Sequence, residues 1–189
     1  MSFANIYTAR LILRRVRLED AASVHAYRSL PEVAKFSPVE RRTIDETKAF
    51  LEPLVSIEPC TPGTWLGLAI TLRETGKLIG DIGLRFPEKE TYQVELGVSL
   101  DPDYHGKGFA SEAMLALLQY AFEVLGKHRV FASIDPINRA SIALVERIGM
   151  RREAHFRSSI WWKNREWVDD LIYAMLEDEW RARVLRMPE

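Results

Sequence analysis

The 189-residue sequence holds one cysteine, Cys60, which excludes an internal disulfide framework and any multi-cysteine zinc site. Cys60 lies in Pro59-Cys-Thr-Pro-Gly63, a loop-type segment, and reads as a spectator thiol. The histidines His25, His105, His128 and His155 show no i, i+3 or i+4 pairing, so no metal is expected. No apolar run approaches the ~20 residues that span a bilayer, so no membrane association is expected. The first residues, Met-Ser-Phe-Ala-Asn-Ile-Tyr-Thr, lack a basic segment and a long apolar stretch, and a cytoplasmic location is the expectation. An excess of one charge is missing too. Lys and Arg number 26 against 27 Asp and Glu, a formal net charge of −1, which argues against a general nucleic-acid binder. The short basic clusters Arg14-Arg15-x-Arg17 and Arg151-Arg152 read as solvated faces. With no repeat, low-complexity tract or Gly/Ser-rich linker, residues 1–189 read as a single domain.

Apolar residues make up 47% of the chain, enough for a domain that buries roughly 70% of its unfolded surface. Thr8–Arg17 predicts a strand and Glu19–Leu30 a helix. Thr43-x-x-Glu46 has the form of a capping box opening a second helix, which Pro53 kinks or ends. Thr64–Leu72 and Leu78–Phe86 flank the turn-type Glu74-Thr-Gly-Lys77 and predict a hairpin. Val94, Leu96, Val98 and Leu100 alternate with Glu95, Gly97 and Ser99, the pattern of a strand with one strongly apolar face.

After Asp101-Pro102 the period becomes helical. Ala110, Ala113, Met114, Leu117, Leu118, Ala121 and Leu125 form an apolar stripe that Gly126 ends. Arg129–Ile134 predicts a strand and Asn138–Ile148 a helix capped by Asn138. Two strands follow near Ala154–Trp161 and Trp167–Met175, then a charged helix Glu177–Arg186. A strand–helix–strand crossover grafted onto an antiparallel meander predicts an α/β (α+β) fold. Its sheet should be mixed and mostly antiparallel, of about six to seven strands, with helices on both faces. Ligands of such sheets bind beyond the carboxyl ends of strands, here at the junction after Leu100.

That junction reads Asp101-Pro-Asp-Tyr-His-Gly-Lys-Gly-Phe-Ala110. Gly106 and Gly108 sit where a strand hands over to a long helix, whose first N–H groups lack internal partners and carry the positive end of its dipole. Such a loop can cradle a pyrophosphate, with Lys107 adding a charge; equally, the glycines can serve only a tight turn. It is not a P-loop, since no Lys-Ser/Thr follows at the required spacing, nor is it a dinucleotide fingerprint.

The segment resembles the acetyl-CoA signature of the GNAT superfamily of N-acyltransferases, usually Gln/Arg-x-x-Gly-x-Gly/Ala. Asn138-x-x-Ser141 followed by Gly149-Met150 is similar to that superfamily's next motif. Thr8-Ala-Arg-Leu-Ile-Leu-Arg14 and Asp169-Asp-Leu-Ile-Tyr-Ala-Met175 resemble its RimJ/RimL branch, which acetylates N-terminal amines of ribosomal proteins and includes relatives with other amine substrates. The resemblance runs over nearly the whole chain. It implies an acetyl-CoA site formed by Val98, Ser99 and Leu100 at the strand end and by His105, Gly106, Lys107, Gly108, Phe109 and Ala110 in the loop. Asn138 and Ser141 would complete it. It also implies a backbone N–H near Val98 for the thioester carbonyl, in a strand that splays from its neighbour. Two positions depart from the pattern: His105 replaces the usual Gln/Arg, and Val145 stands where many members place a tyrosine general acid.

Attack of an amine on a thioester requires loss of a proton from a group that titrates near 8 to 10. Glu95, a carboxylate interrupting a core strand beside Gly97, is the candidate general base; its alternative is a rim carboxylate or a partner for a nearby arginine. Ser141 lies one helical turn before Val145 and is the candidate to assist the leaving thiolate, its alternative being a role in the helix cap. Among Trp65, Trp161, Trp162, Trp167 and Trp180, the adjacent Trp161 and Trp162 would place one ring on each face of a strand. One can line an acceptor cleft, while core packing or a homodimer contact are the alternatives. The reading is an acetyl-CoA-dependent N-acetyltransferase acting on a primary amine, either a protein N-terminus or a small molecule. Its rivals are a nucleotide-binding phosphotransferase, for which no Mg²⁺-binding set is recognisable, and a CoA-holding sensor without turnover.

Overall fold

The computed structural model describes residues 3–37, 43–162 and 166–185. Strands β1 (Ile6–Tyr7), β2 (Leu11–Arg15), β3 (Trp65–Leu72), β4 (Leu78–Arg85), β5 (Gln93–Leu100), β6 (Arg129–Ile134), β7 (Arg151–Trp161) and β8 (Trp167–Leu176) form one sheet in the order β1-β2-β3-β4-β5-β6-β8-β7. Every neighbouring pair is antiparallel except β5–β6, which are parallel. The parallel pair arises because helix α4 (Phe109–Gln119) carries the chain back between them. The predicted mixed, mostly antiparallel sheet is therefore present, with eight strands. The extra one is the two-residue β1, which pairs Ile6 with Leu13 and is too short to carry a hydrophobic period.

Alternation along the strands sorts the two faces. Val94 and Leu96 of β5, Val130, Ala132 and Ile134 of β6, and Leu171, Tyr173 and Met175 of β8 share one core. The α4 stripe Ala113, Met114, Leu117 and Leu118 packs into it, with Val145 and Ile148 from the α5 region (helix Arg139–Arg147). Each fully buried leucine there contributes on the order of 1.5–3 kcal/mol by leaving water. Beyond Gln119 the helix widens into a π turn over Tyr120–Val124. There Phe122 stacks on Trp180 of α6 (Glu177–Val184) at 6.0 Å. Arg186, at the predicted end of that last helix, lies outside the described residues.

The opposite face is covered over β2–β4 by α1 (Ala21–Arg28) and α3 (Ile44–Leu51), with Val16, Val24, Tyr27, Leu51 and Ala69 in a smaller core. The short helix α2 (Pro31–Ala34) follows α1. The Thr43 capping box is formed: Glu46 N–H donates to Thr43 Oγ1 at 3.2 Å, and Thr43 N–H to Glu46 Oε2 at 2.9 Å. The α-helix ends at Leu51, one residue before the Glu52–Leu54 turn that contains Pro53. Tyr27 and Arg28 of α1 both donate to the Asp81 carboxylate on β4, which ties the helix to the sheet beside the site described next.

Candidate active site

The parallel ladder between β5 and β6 is short. It pairs Gln93 with Arg129, Val94 with Val130 and Glu95 with Phe131, and then stops. On its other side β5 stays paired with β4 as far as Leu100, while β6 stays paired with β8 as far as Ile134. The two strands thus part beyond Glu95, leaving one edge of β5 without a strand partner. Arg129 N–H donates to Tyr92 C=O on the β6 side at 3.2 Å, and Asp101 N–H donates to Ile79 C=O on the β4 side at 2.9 Å. Two-residue alternation between these points directs the N–H and C=O of Val98 into the open wedge.

The loop after Leu100 closes the wide end of this wedge. Gly106 and Gly108 have φ of +72° and +80°, left-handed values at which an L side chain is strained. A Cβ on Gly106 would meet nothing within 4 Å, whereas one on Gly108 would lie 3.3 Å from Arg10 Nη2. Gly108 is the N-cap of α4, so the free N–H groups of the helix face the loop. His105 Nε2 lies 3.0 Å from Leu100 C=O; because a carbonyl only accepts, that nitrogen carries the proton and ties the loop to the strand end. Lys107 Nζ uses one of its three N–H groups to donate to Asp103 C=O at 2.8 Å, which folds the exposed side chain back along the loop. The buried Ser111 Oγ, in the first turn of α4, has no hydrogen-bond partner among the described residues.

A clamp from the β1–β2 turn holds this loop, and the sequence reading missed it. Glu112 accepts from Thr8 Oγ1 at 2.6 Å, from Arg10 N–H at 2.8 Å and from Arg10 Nε at 2.7 Å. Arg10 Nη1 also donates to Lys107 C=O at 2.9 Å, and its guanidinium lies 4.4 Å from the Phe109 ring centre. Burial pushes the Glu112 carboxyl up, but the bonds from Thr8 and Arg10 outweigh it and hold the group below the usual glutamate range. Thr8 and Arg10 fall within the predicted first strand, which begins only at Leu11; the preceding residues turn out of the sheet to reach α4. A threonine and an arginine two residues apart carry no local signal of a partner a hundred residues away.

Glu95 lies on the face opposite the main core, as its alternation with Val94 and Leu96 predicts. Its Oε2 accepts from Arg85 Nη1 at 3.1 Å, so the alternative of a nearby arginine partner is realised. Its Oε1 has no hydrogen-bond partner among the described residues, and the side chain is 19% exposed. Trp65 is the tryptophan packed against β5: a Cβ on Gly97 would lie 3.3 Å from its ring, so any larger residue there would have to push the indole aside by a few tenths of an ångström. Trp161 packs edge-on against Trp167 across the β7–β8 hairpin at 5.2 Å, and both rings are exposed. On α5, Asn138 Oδ1 accepts from Ser141 N–H at 3.1 Å, which is the predicted cap. The Ser141 hydroxyl makes no hydrogen bond among the described residues, while Val145 is buried.

Residues 10–151 match the family described as Acetyltransferase (GNAT) domain. The chain belongs to that family. Among its relatives, "Uncharacterized N-acetyltransferase YnaD" of Bacillus subtilis (strain 168) is 35% identical over 177 residues, covering 93% of this chain and 99% of the relative. "Uncharacterized N-acetyltransferase p20" of Bacillus licheniformis is 32% identical over 178 residues, covering 93% and 97% respectively. Among solved structures, a GNAT-family acetyltransferase from Bacillus anthracis superposes with a TM-score of 0.84 at 33% identity, covering 93% of this chain and all of the other. Among the described residues no helix is long and apolar enough to cross a membrane, and no group of three or more His, Cys, Asp and Glu side chains is placed to hold a metal ion.

Proposed function

We propose that this GNAT protein transfers the acetyl group of acetyl-CoA to a primary amine. The observation that carries the reading is the meeting, at the carboxyl end of β5, of an open backbone edge and a loop of free helix N–H groups. The residues fit the donor. The backbone at the positive-φ Gly106 has open space beside it, and the Ser111 hydroxyl, without a partner among the described residues, sits in the first turn of the helix that follows. The N–H groups from Gly108 onward would bind the pyrophosphate, and Val98, Ser99 and Leu100 would receive the pantetheine arm along the unpaired edge.

Each remaining step falls to a side chain or backbone group of this chain. Val98 N–H is aimed into the wedge, where it can donate to the thioester oxygen as that atom gains charge. Glu95 Oε1, without a hydrogen-bond partner among the described residues, can take the amine's proton directly or through a water. The neutral nitrogen then adds to the carbonyl carbon; as the C–S bond breaks, the extra proton on the nitrogen passes to water and CoA departs as a thiolate. Ser141, whose hydroxyl is uncommitted, can donate to that sulfur; Val145 has no proton to give. Thiol release from acetyl-CoA in the presence of a panel of primary amines tests the reading. Amine-dependent release is the expected result. CoA binding without release for any amine would reduce the protein to a sensor.

A further inference from the structure

The same sheet face carries a second feature beyond Glu95. A shallow, open depression of about 310 Å³ lies over β6, β7 and β8, lined by Arg129, Phe131, Glu153, Ala154, Phe156 and Ile172. Its position follows from register. Phe131 is the parallel partner of Glu95, so the two side chains project from the same face of adjacent strands. Ile172 faces Ala154, and Phe156 faces Asp170, on the strands farther out. The basin therefore begins one strand away from the candidate base.

Charge in the basin is already committed. Arg129 donates to Gln93 Oε1 at 2.7 Å and to Glu153 Oε2 at 2.5 Å, and its guanidinium lies 4.9 Å from the Phe131 ring centre. Glu153 holds Arg151 as well, at 2.8 Å. The hydrogen bond from Arg129 is the main reason its carboxyl lies below the usual range. Asp170, beside Phe156, is buried and accepts from Ser133 Oγ at 2.8 Å. Glu153 is thus held by two guanidiniums and Asp170 is buried, so among the described residues neither presents an exposed, unpaired carboxylate to a second cation, and the two guanidiniums stand at one end. What remains available is carbon: the Phe131 and Phe156 rings, Ile172 and Ala154. Phe156 is 52% exposed and presents its ring to solvent beside these residues.

We propose that this basin receives the body of the acceptor and selects amines with an apolar body, aryl- or alkyl-amines, over polycationic ones. The proposal rests on the acetyl-transfer reading, with the amine held at Glu95 and its carbon body between Phe131 and Phe156. The volume stands at the lower end of small-ligand sites, which suits a body of one ring or a short chain. The same chemistry is presented by a free arylalkylamine and by a polypeptide that begins with phenylalanine.

The test compares 2-phenylethylamine, hexylamine, a Phe-initiated tripeptide amide, ethylamine and spermidine as acceptors for the full chain, by thiol release. The expected kcat/KM for 2-phenylethylamine or the tripeptide exceeds that for spermidine by roughly tenfold or more, as one well-filled apolar pocket allows. The more active of the two identifies the source of the apolar body. Phe156→Ala, at a half-exposed position, is expected to raise KM for the aryl acceptor several-fold and to lower its preference over ethylamine, with CoA affinity unchanged. Spermidine as the preferred acceptor, or a Phe156→Ala enzyme with the same preference as the parent, would overturn the proposal. If no amine supports thiol release, the acetyl-transfer reading fails separately. Calorimetric binding of 2-phenylethylamine to the parent and to Phe156→Ala then decides the basin: binding weakened by the substitution supports it, and no binding refutes it.

Discussion

Arg10 and Glu112 meet at 2.7 Å across a sequence gap of 102 residues, and through them the β1–β2 turn grips the first turn of α4. The pair is electrostatically favourable at that end of α4, because a carboxylate in the first turn opposes the positive end of the helix dipole. Arg10 then extends past Glu112 to the Lys107 carbonyl, so the same side chain fixes both the helix and the loop before it.

Arg10→Ala is expected to weaken CoA binding about three- to tenfold, the worth of roughly 1 kcal/mol for a pair whose arginine is half exposed and screened by solvent. Glu112→Gln should lose part of the same energy, and the double variant should lose less than the sum; titration calorimetry of CoA reads the coupling. Because the Glu112 carboxyl is held below its usual range, its contribution to stability is complete above the ordinary glutamate pKa. It is lost as pH falls through the lowered value. Thermal midpoints should therefore fall less steeply in acid for Glu112→Gln than for the parent.

Gly108→Val should abolish measurable CoA binding. It places a β-branched side chain at φ +80° and a Cβ 3.3 Å from Arg10 Nη2, inside the clamp. Lys107→Ala should be mild, because that ammonium is exposed and bonded to the loop itself. Unchanged CoA affinity in a folded Gly108→Val protein would remove the loop from the donor site.

Glu95→Gln keeps the shape of the side chain while removing its basicity. The rate with an amine of high pKa should fall by roughly 10²–10⁴, with CoA affinity nearly constant. A full rate across the pH range would leave Glu95 as the Arg85 partner alone.

Ser141→Ala should lower kcat by about tenfold if its hydroxyl assists the thiolate. The Asn138 cap should survive, because it uses the Ser141 backbone N–H rather than the hydroxyl. An unchanged kcat, with chemistry rate-limiting, would show that the thiolate leaves unaided.

Asp81→Ala should cost on the order of 3–5 kcal/mol, because it strips the carboxylate from Arg28 and Tyr27 on a largely buried surface. Denaturant unfolding measures the loss directly. A cost below about 1 kcal/mol would mean that α1 is held to the sheet by its apolar contacts alone.

The sequence by itself determined the parts governed by short-range periodicity. The alternation of Val94, Leu96 and Leu100 with Glu95, Gly97 and Ser99 placed the carboxylate on the face away from the core, since successive side chains of a strand point to opposite sides. The α4 stripe, the Thr43–Glu46 box and the Asn138 cap were legible for the same reason: each is a relation among residues a few positions apart. Tertiary structure alone decided the rest. That β5 and β6 part after Glu95 depends on pairing between segments more than thirty residues apart, and no residue of either strand announces where a ladder will stop. The Arg10–Glu112 clamp depends on the β1–β2 turn reaching α4, the Arg85 partner of Glu95 on the β4–β5 register, and the aromatic basin beside Phe131 on the sheet order, which brings β8 and β7 to the far side of β6. Local pattern reports which way a side chain points; only the packed sheet decides what it points at.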